Sequence, residues 1–243
     1  SMHSFGMHMR RQIGVGADFA GVREFRDDDD YRHIHWLATA KRQRLMIREF
    51  DQIGSLEVTI FFDLSRESLC GLGKQTTTEY AIRIAGSIAQ AALRESYSVQ
   101  LLAEGDQSIF LPMGGGQQQF AEIMQALATV KPLGETPLYE LVALHDESIA
   151  RRSTAVMIFS KCDLDVGRYV ESIQLLKARQ VTVIAVIIEH TTFLPLDAMH
   201  DKAGATAALE QLKTLGASVY LVHLGDDLNQ RLMQPVSWGI AHA

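Results

Sequence analysis

Val58-Thr59-Ile60-Phe61-Phe62 is an apolar run that stops abruptly on Asp63-Leu64-Ser65-Arg66-Glu67-Ser68. A strand buried on both faces reads as a continuous run of branched and aromatic residues, and such strands belong to sheets covered on both sides by helices. Open α/β sheets meet their ligands at the carboxyl ends of the strands. Asp63 and Ser65 therefore stand where a cation, a phosphate or a partner's carboxylate would be met.

The chain downstream supports that architecture. Thr76-Thr77-Thr78-Glu79 has the pattern of a capping box, opening a helix with Ile82, Ala85, Ile88, Ala89, Ala92 and Leu93 on its apolar stripe. Ser98 to Ala103 reads as a strand, with Ser108 to Leu111 as a short partner across Glu104-Gly105-Asp106. Phe120, Ile123, Met124 and Leu127 mark a second helix, and Pro137 opens a third in its first turn. Ala155 to Ser160 and Val181 to Ile188 are further buried strands, separated by a helix over Tyr169 to Ala178. Leu209, Leu212 and Leu215 form a helix face ended by Gly216, and Ser218 to Val222 is the last strand. The Gly114-Gly115-Gly116 run reads as a flexible turn, because no Lys-Ser/Thr follows it to make a phosphate loop. Strands alternating with helices predict an α/β fold with a doubly wound, mostly parallel six-stranded sheet, the Ser108 strand lying antiparallel at one edge.

The chain divides into residues 1–52, polar and poorly periodic, and residues 53–243, which carry the alternation. At 243 residues and 47% hydrophobic, the chain can bury a sizeable core. A formal net charge of −6 argues against a general nucleic-acid binder. No apolar run approaches the roughly 20 residues that span a bilayer. The expectation is a cytoplasmic domain, and a membrane segment ahead of Met2 would be needed to tether it. Cys70 and Cys162, the two cysteines, suit a reducing compartment. Asp27-Asp28-Asp29-Asp30 reads as a solvated loop, since a calcium loop wants spaced ligands and a glycine turn. His33 and His35 lack a third ligand nearby in sequence.

Three loops at strand carboxyl ends carry the functional argument: Asp63-x-Ser65-x-Glu67, Gly134-Glu135-Thr136-Pro137-Leu138 and Ser160-Lys161-Cys162-Asp163. The set resembles the von Willebrand factor A fold, whose metal-ion-dependent adhesion site takes D-x-S-x-S from the first strand end, Thr from a G-x-T loop and Asp from a later strand end. Asp63, Ser65 and Thr136 match; Glu67 replaces the second serine and Lys161 stands where the last Asp is expected. A second resemblance lies upstream, in Gly21-Val22-Arg23-Glu24-Phe25, Asp28-Asp29, Arg32-x-Ile34-x-Trp36-x-Ala38-x-Ala40-Lys41 and Leu45-Met46-Ile47-Arg48-Glu49-Phe50. These segments are similar to the signature of the bacterial family called domain of unknown function 58, in which a von Willebrand factor A-like domain follows. The resemblance implies a Rossmann-like fold with an N-terminal extension and a protein partner, a MoxR-type AAA+ ATPase. It implies little about chemistry.

Two readings of the site follow. The leading one is a non-enzymatic protein-interaction module with a degenerate adhesion site formed by Asp63, Ser65, Glu67, Thr136, Lys161 and Asp163. An ammonium about 4 Å from a dication would be repelled by about 8 kcal/mol at an effective dielectric of 20. Lys161 is therefore expected to neutralise Asp63 itself, so that no cofactor is required. Magnesium is the ion to test there, with Glu67 or Asp163 as its further ligands should Lys161 turn outward. The alternative is a phosphoryl-transfer enzyme or phosphatase in which Asp63 takes the phosphoryl group while Ser160 and Lys161 hold its oxygens. No Ser-His-Asp spacing or nucleophile elbow is apparent. Of the family signature, Arg23, Glu24, Asp29, Arg32, Trp36 and Arg48, all but Asp29 read as an ion-pair and aromatic patch fixing the N-terminal region to the sheet, with a partner-docking surface as the alternative. Trp36, Leu45 and Ile47 are too apolar for a disordered tail, and Leu45-Met46-Ile47 looks like a short strand, so this region is expected to pack on the domain.

Overall fold

A computed structural model describes residues 19–26, 34–50, 57–160, 166–194, 212 and 214–232. The chain opens with β1 (Phe19–Glu24), α1 (Trp36–Arg42) and β2 (Met46–Phe50). β1 and β2 pair antiparallel. His35 caps α1, its Nδ1 accepting the Ala38 amide at 3.1 Å, and Thr39 Oγ1 accepts the Met46 amide at 3.0 Å, which ties helix to strand. Glu24 pairs with Arg44 at 2.9 Å on the surface. Ile34, Met46 and Ile47 are buried here, whereas Trp36 is 69% and Leu45 44% exposed. Trp36 and Leu45 face outward, while Met46 and Ile47 are the buried residues of the expected short strand. The reason is local: Trp36 begins a seven-residue helix that buries no residue, so its indole faces outward. Of the other signature residues, Arg48 lies in β2, while Asp29 and Arg32 fall outside the described residues, as do Asp27, Asp28, Asp30 and His33.

From Glu57 the elements are β3 (Glu57–Phe62), β4 (Gly71–Leu72), β5 (Gln75–Thr76), α2 (Thr77–Arg94), β6 (Ser98–Glu104), β7 (Ser108–Gly114), α3 (Gly116–Thr129), α4 (Leu138–His145), β8 (Thr154–Phe159), α5 (Val166–Ala178), β9 (Thr182–Ile188), β10 (Ser218–Val222) and α6 (Leu228–Arg231). Among the described residues, six strands form one sheet in the order β10-β9-β8-β3-β6-β7. Every neighbour pair is parallel except β6 with β7. The expected mixed α/β fold, with its mostly parallel six-stranded sheet and antiparallel edge strand, is the one observed. The winding reverses between β3 and β8, which makes their carboxyl ends the topological switch point.

Alternation of side chains along each strand divides the core into two layers. Ile60, Phe62, Leu101, Val156 and Val186 pack with Tyr80, Ile84 and Ile88 of α2 and with Ile123 and Leu127 of α3. Phe61, Leu102, Met157, Phe159 and Ala185 pack on the other face with Leu138 and Val142 of α4 and with Tyr169, Ile173 and Leu176 of α5. Each such Val, Leu, Ile, Phe or Met side chain, fully buried, contributes roughly 1.5–3 kcal/mol of transfer free energy. Thr76 caps α2, its Oγ1 accepting the Glu79 amide at 3.2 Å. The buried stripe of α2 centres on Tyr80, Ala81, Ile84, Ala85 and Ile88, so Ile82 and Leu93 of the expected stripe lie at its half-buried margin.

Three local expectations shift. β7 runs on to Gly114 instead of ending at Leu111, and its register jumps opposite the stretch between Val99 and Leu101. Pro112 sits in that irregular stretch, and an edge strand is where a residue lacking an amide hydrogen is tolerated. The glycine run is not a free turn. Gly114 ends the strand, Gly115 caps α3, and Gly116 opens it with φ 72°. Gln119 holds the junction by donating to the carbonyls of Val99 at 2.8 Å and Pro112 at 2.9 Å, and any side chain at Gly114 would collide with it. Pro137 serves as the cap of α4, one position before its expected place. Gly216 has φ 72°, as its expected role in ending a helix requires, and Leu212 is buried, while Leu209 lies outside the described residues. No helix among the described residues is long and apolar enough to cross a membrane.

One polar pair is buried between the central strands. Gln100 Nε2 donates to Thr59 Oγ1 at 2.7 Å, with both residues almost wholly inaccessible. Thr59→Val removes the acceptor and leaves the amide unpaired in the core. It should lower stability by about 1–3 kcal/mol in urea unfolding, with an unchanged denaturant slope. Gln100→Leu added to it should recover part of the loss.

Candidate functional site

β3 delivers Asp63 to the switch point. The Asp63 amide continues the sheet by donating to Ile158 O of β8 at 2.9 Å, and the residue is 8% exposed. Oδ1 accepts the Ser65 amide at 2.9 Å, an Asx-turn that bends the chain away from the strand direction. One helical turn of the 3-10 type, Arg66–Ser68, follows and carries Glu67 to the surface. Ser68 closes it by donating both its amide and its hydroxyl to Ser65 O, at 3.1 and 2.8 Å.

The second loop is bound to the first through the backbone. Ser65 and Gly134 form a parallel bridge, in which Gly134 N donates to Leu64 O at 3.0 Å and Arg66 N to Gly134 O at 2.9 Å. Gly134 is required by close approach: a Cβ built on it would lie 2.0 Å from Glu104 O. Half-buried Thr136 and exposed Glu135 follow directly after the residue that bridges to Ser65.

The third loop enters through Ser160, next after β8. Ser160 Oγ donates to Ser68 O at 2.6 Å, and Thr77 Oγ1, in the first turn of α2, donates to the same oxygen at 2.7 Å. Cys70 N in turn donates to Thr77 Oγ1 at 2.9 Å. Ser68, Thr77 and Ser160 are all at least 96% buried, since their exposures are 3%, 1% and 4%. Ser160 thus uses its hydroxyl proton on the backbone, which leaves it poorly placed to donate to a transferred phosphoryl group. Lys161, Cys162 and Asp163 lie outside the described residues. As donors toward a dication, the described loops offer one buried carboxylate and the hydroxyls of Ser65 and Thr136. No group of three or more His, Cys, Asp and Glu able to hold a metal occurs among the described residues.

Tyr169, which no sequence pattern singled out, belongs to the surroundings of this site. It comes from α5, packs on Phe159 with the rings tilted 34° and centroids 4.9 Å apart, and meets Tyr139 edge-on at 5.5 Å. Burial, then the negative charge of Asp63, then Tyr139 push its hydroxyl well above the ordinary tyrosine value. The phenol is therefore neutral, chiefly through burial and then through the nearby Asp63 charge. Periodicity could place Tyr169 on the buried face of α5, but its proximity to Asp63 depends on how β8 and α5 meet.

These features define an α/β domain with a carboxylate-and-hydroxyl site at its switch point. The chain belongs to the family described as protein of unknown function DUF58, whose profile matches residues 21–210. No curated protein matches it. Among solved structures it is similar to the pilus adhesin SpaC from Lactobacillus rhamnosus GG, at a TM-score of 0.53 and 9% identity, covering 75% of this chain and 30% of that one. Two structures of proximal thread matrix protein 1 from the mussel byssus align at TM-scores of 0.47 and 0.46, with 11% and 13% identity. They cover 74% of this chain and 45% and 46% of theirs. At such identities the likeness to the adhesin concerns the fold alone, and the chain spans less than half the length of each of these proteins.

Two measurements probe this geometry. Gly134→Ala forces the Glu104 carbonyl or the whole loop to move, and should cost about 1–3 kcal/mol in thermal or urea unfolding. Alkaline titration tests the buried tyrosines. Burial pushes Tyr220 up to about 12, and Tyr169 is also raised. The unfolded chain loses these protons first, near pH 10, so the stability both groups contribute is present below pH 10 and falls as pH rises. The slope is about 1.4 kcal/mol per pH unit for each group. Unfolding measured at pH 9, 10 and 11 should show the fall, and Tyr169→Phe should make it shallower.

Proposed function

We propose that this chain is a von Willebrand factor A-like interaction domain that binds a protein partner at the top of its sheet, through a degenerate metal-ion-dependent adhesion site. The observation that carries the reading is the convergence at the switch point. The Asp63-Ser65 and Gly134-Thr136 loops are joined backbone to backbone, and the start of the third loop is tied to them through Ser160 and Ser68 O. Such a surface presents a carboxylate and hydroxyls on a preorganised backbone. Preorganisation is what a recognition site gains most from, because ordering costs are met in folding rather than in binding. A MoxR-type AAA+ ATPase is the partner this reading assigns, and the function is binding rather than catalysis.

Lys161 is the residue on which the metal question turns. An ammonium paired with Asp63 satisfies the carboxylate, and its three donors can serve several oxygens of the two loops. Asp163 and Glu67 then remain as acidic contacts for the partner. The phosphoryl-transfer reading loses support from Ser160, whose hydroxyl is engaged by Ser68 O.

Calorimetry with a purified MoxR-type ATPase should show binding that Asp63→Ala weakens at least tenfold. Titration of the chain with magnesium, calcium and manganese should show no tight uptake, while Lys161→Asp should create or strengthen it. Micromolar metal binding by the unaltered chain, abolished by Asp63→Ala, would overturn the degenerate-site account in favour of a metal-bridged one. Turnover of a generic phosphate ester that is lost in Asp63→Asn would overturn the non-enzymatic reading.

A further inference from the structure

β7 ends the central sheet, with β6 on one side and no strand on the other among the described residues. An antiparallel edge strand turns every second amide and carbonyl away from its neighbour, and those groups are a template for another strand. Proteins blunt such edges with charges, proline or an irregular register. β7 has the last two only in its second half, at Pro112 and in the register shift opposite the stretch between Val99 and Leu101. Its first half, Ser108-Ile109-Phe110-Leu111, holds neither a charge nor a proline and pairs regularly with Glu104, Ala103, Leu102 and Leu101. The charges around it are engaged. Glu104 Oε1 accepts Ser108 Oγ at 2.8 Å, and Asp106 stands 3.7 Å from Lys131 Nζ.

The side chains of this half are apolar on both faces of the sheet. Ile109 and Leu111 are half-buried at the margin of the layer that α2 and α3 cover. Phe110 lies opposite Leu102 on the α4 side, where its ring stacks on His145 with centroids 5.6 Å apart and planes 22° from parallel. Phe110 nevertheless remains 51% exposed, and Leu144, next to His145, is 73% exposed. An exposed aromatic on an uncharged, regular sheet edge is what strand addition uses: the backbone supplies hydrogen bonds, and alternate side chains supply the fit.

This edge is complementary to itself. Across an antiparallel pair, directly opposed side chains lie on the same face of the sheet. A two-fold axis through Phe110 sets Phe110 of one copy against Phe110 of the other, and Ile109 of each against Leu111 of the other. Ser108 then falls opposite Pro112, whose missing amide hydrogen ends the ladder. The central pairs are all apolar, and none sets like charges face to face. Such an isologous contact closes on itself as a dimer. We propose that two copies of this chain pair antiparallel through the first half of β7, centred on Phe110, so that one sheet runs through both. The contact is two strands removed from β3 and stands whether or not the switch-point site binds a partner. A ladder this short makes an interface below the roughly 1,200 Å² of stable complexes, so half-association is expected on the order of 100 µM.

Sedimentation velocity on the full chain should show a monomer at about 5 µM and an average mass rising toward twice that at about 500 µM. Amide hydrogen exchange over residues 108–111 should slow several-fold across the same range, while β10, at the opposite edge, exchanges at a constant rate. Phe110→Lys and Phe110→Glu each set like charges face to face and should abolish association, with circular dichroism unchanged because the ring is half in solvent. An equimolar mixture of the two should recover part of it, since the two-fold sets residue 110 against itself. A chain still monomeric at the highest concentration would overturn the proposal and leave the edge to a strand of another protein. Association without added protection in β7, or association that both substitutions leave intact, would place the contact elsewhere and overturn it as well. A mixture no more associated than its parts would overturn the two-fold pairing.

Discussion

Burial of β3 on both faces is the constraint from which the rest of the structure follows. Val58, Ile60, Phe61 and Phe62 are wholly inaccessible, and a strand of that character cannot lie at an edge or leave a face to water. It must have a parallel neighbour on each side and helices above and below, which β6, β8 and α2 to α5 provide. Once β3 is central, the chain winds outward to β6 and β7 on one side and to β8, β9 and β10 on the other. The reversal leaves a crevice at its carboxyl end. Asp63 occupies the crevice because it is the residue at which the apolar run stops.

The crevice is shaped by hydrogen bonds to backbone more than by contacts among side chains. Ser68 O accepts from both Ser160 and Thr77, so one carbonyl gathers the end of β8, the start of α2 and the turn that begins at Ser65. All three hydroxyl residues are buried, and an unmade bond there would cost the full desolvation of the group left behind. The polar residues near the site thus fall into two sets. Ser160, Ser68 and Thr77 are committed to holding the loop, while Ser65, Thr136 and Glu67 stand toward its surface. A reading of the site that treated every hydroxyl as a ligand would mistake the first set for the second.

Electrostatics at the crevice are correspondingly simple. Asp63 has lost most of its water and spends one oxygen on the Ser65 amide, an interaction that favours its charged form. The neighbouring Tyr169 remains neutral, since both burial and the Asp63 charge oppose its ionisation. Among the described residues of the three loops, the buried charge is that of Asp63, near the neutral phenol of Tyr169 and its packed neighbours Phe159 and Tyr139.

Much of this was legible in the amino-acid sequence, and the division has a physical basis. Continuous apolar runs identify buried strands because burial on both faces acts residue by residue, so the strands, their alternation with helices and the place of Asp63 at a strand end could all be read in advance. The Thr76 cap and the positive φ of Gly216 were legible for the same reason, since each depends on its own neighbours. What depends on approach between distant segments was not. The extension of β7 to Gly114 rests on Gln119 reaching across to Val99, and the engagement of Ser160 rests on Ser68, far away in the chain. The nearness of Tyr169 to Asp63 is likewise decided by which surfaces meet. Local chemistry set the elements and their order; only the tertiary structure decided which hydroxyls became scaffold, which glycine had to be a glycine, and which aromatic ring came to stand near the Asp63 carboxylate.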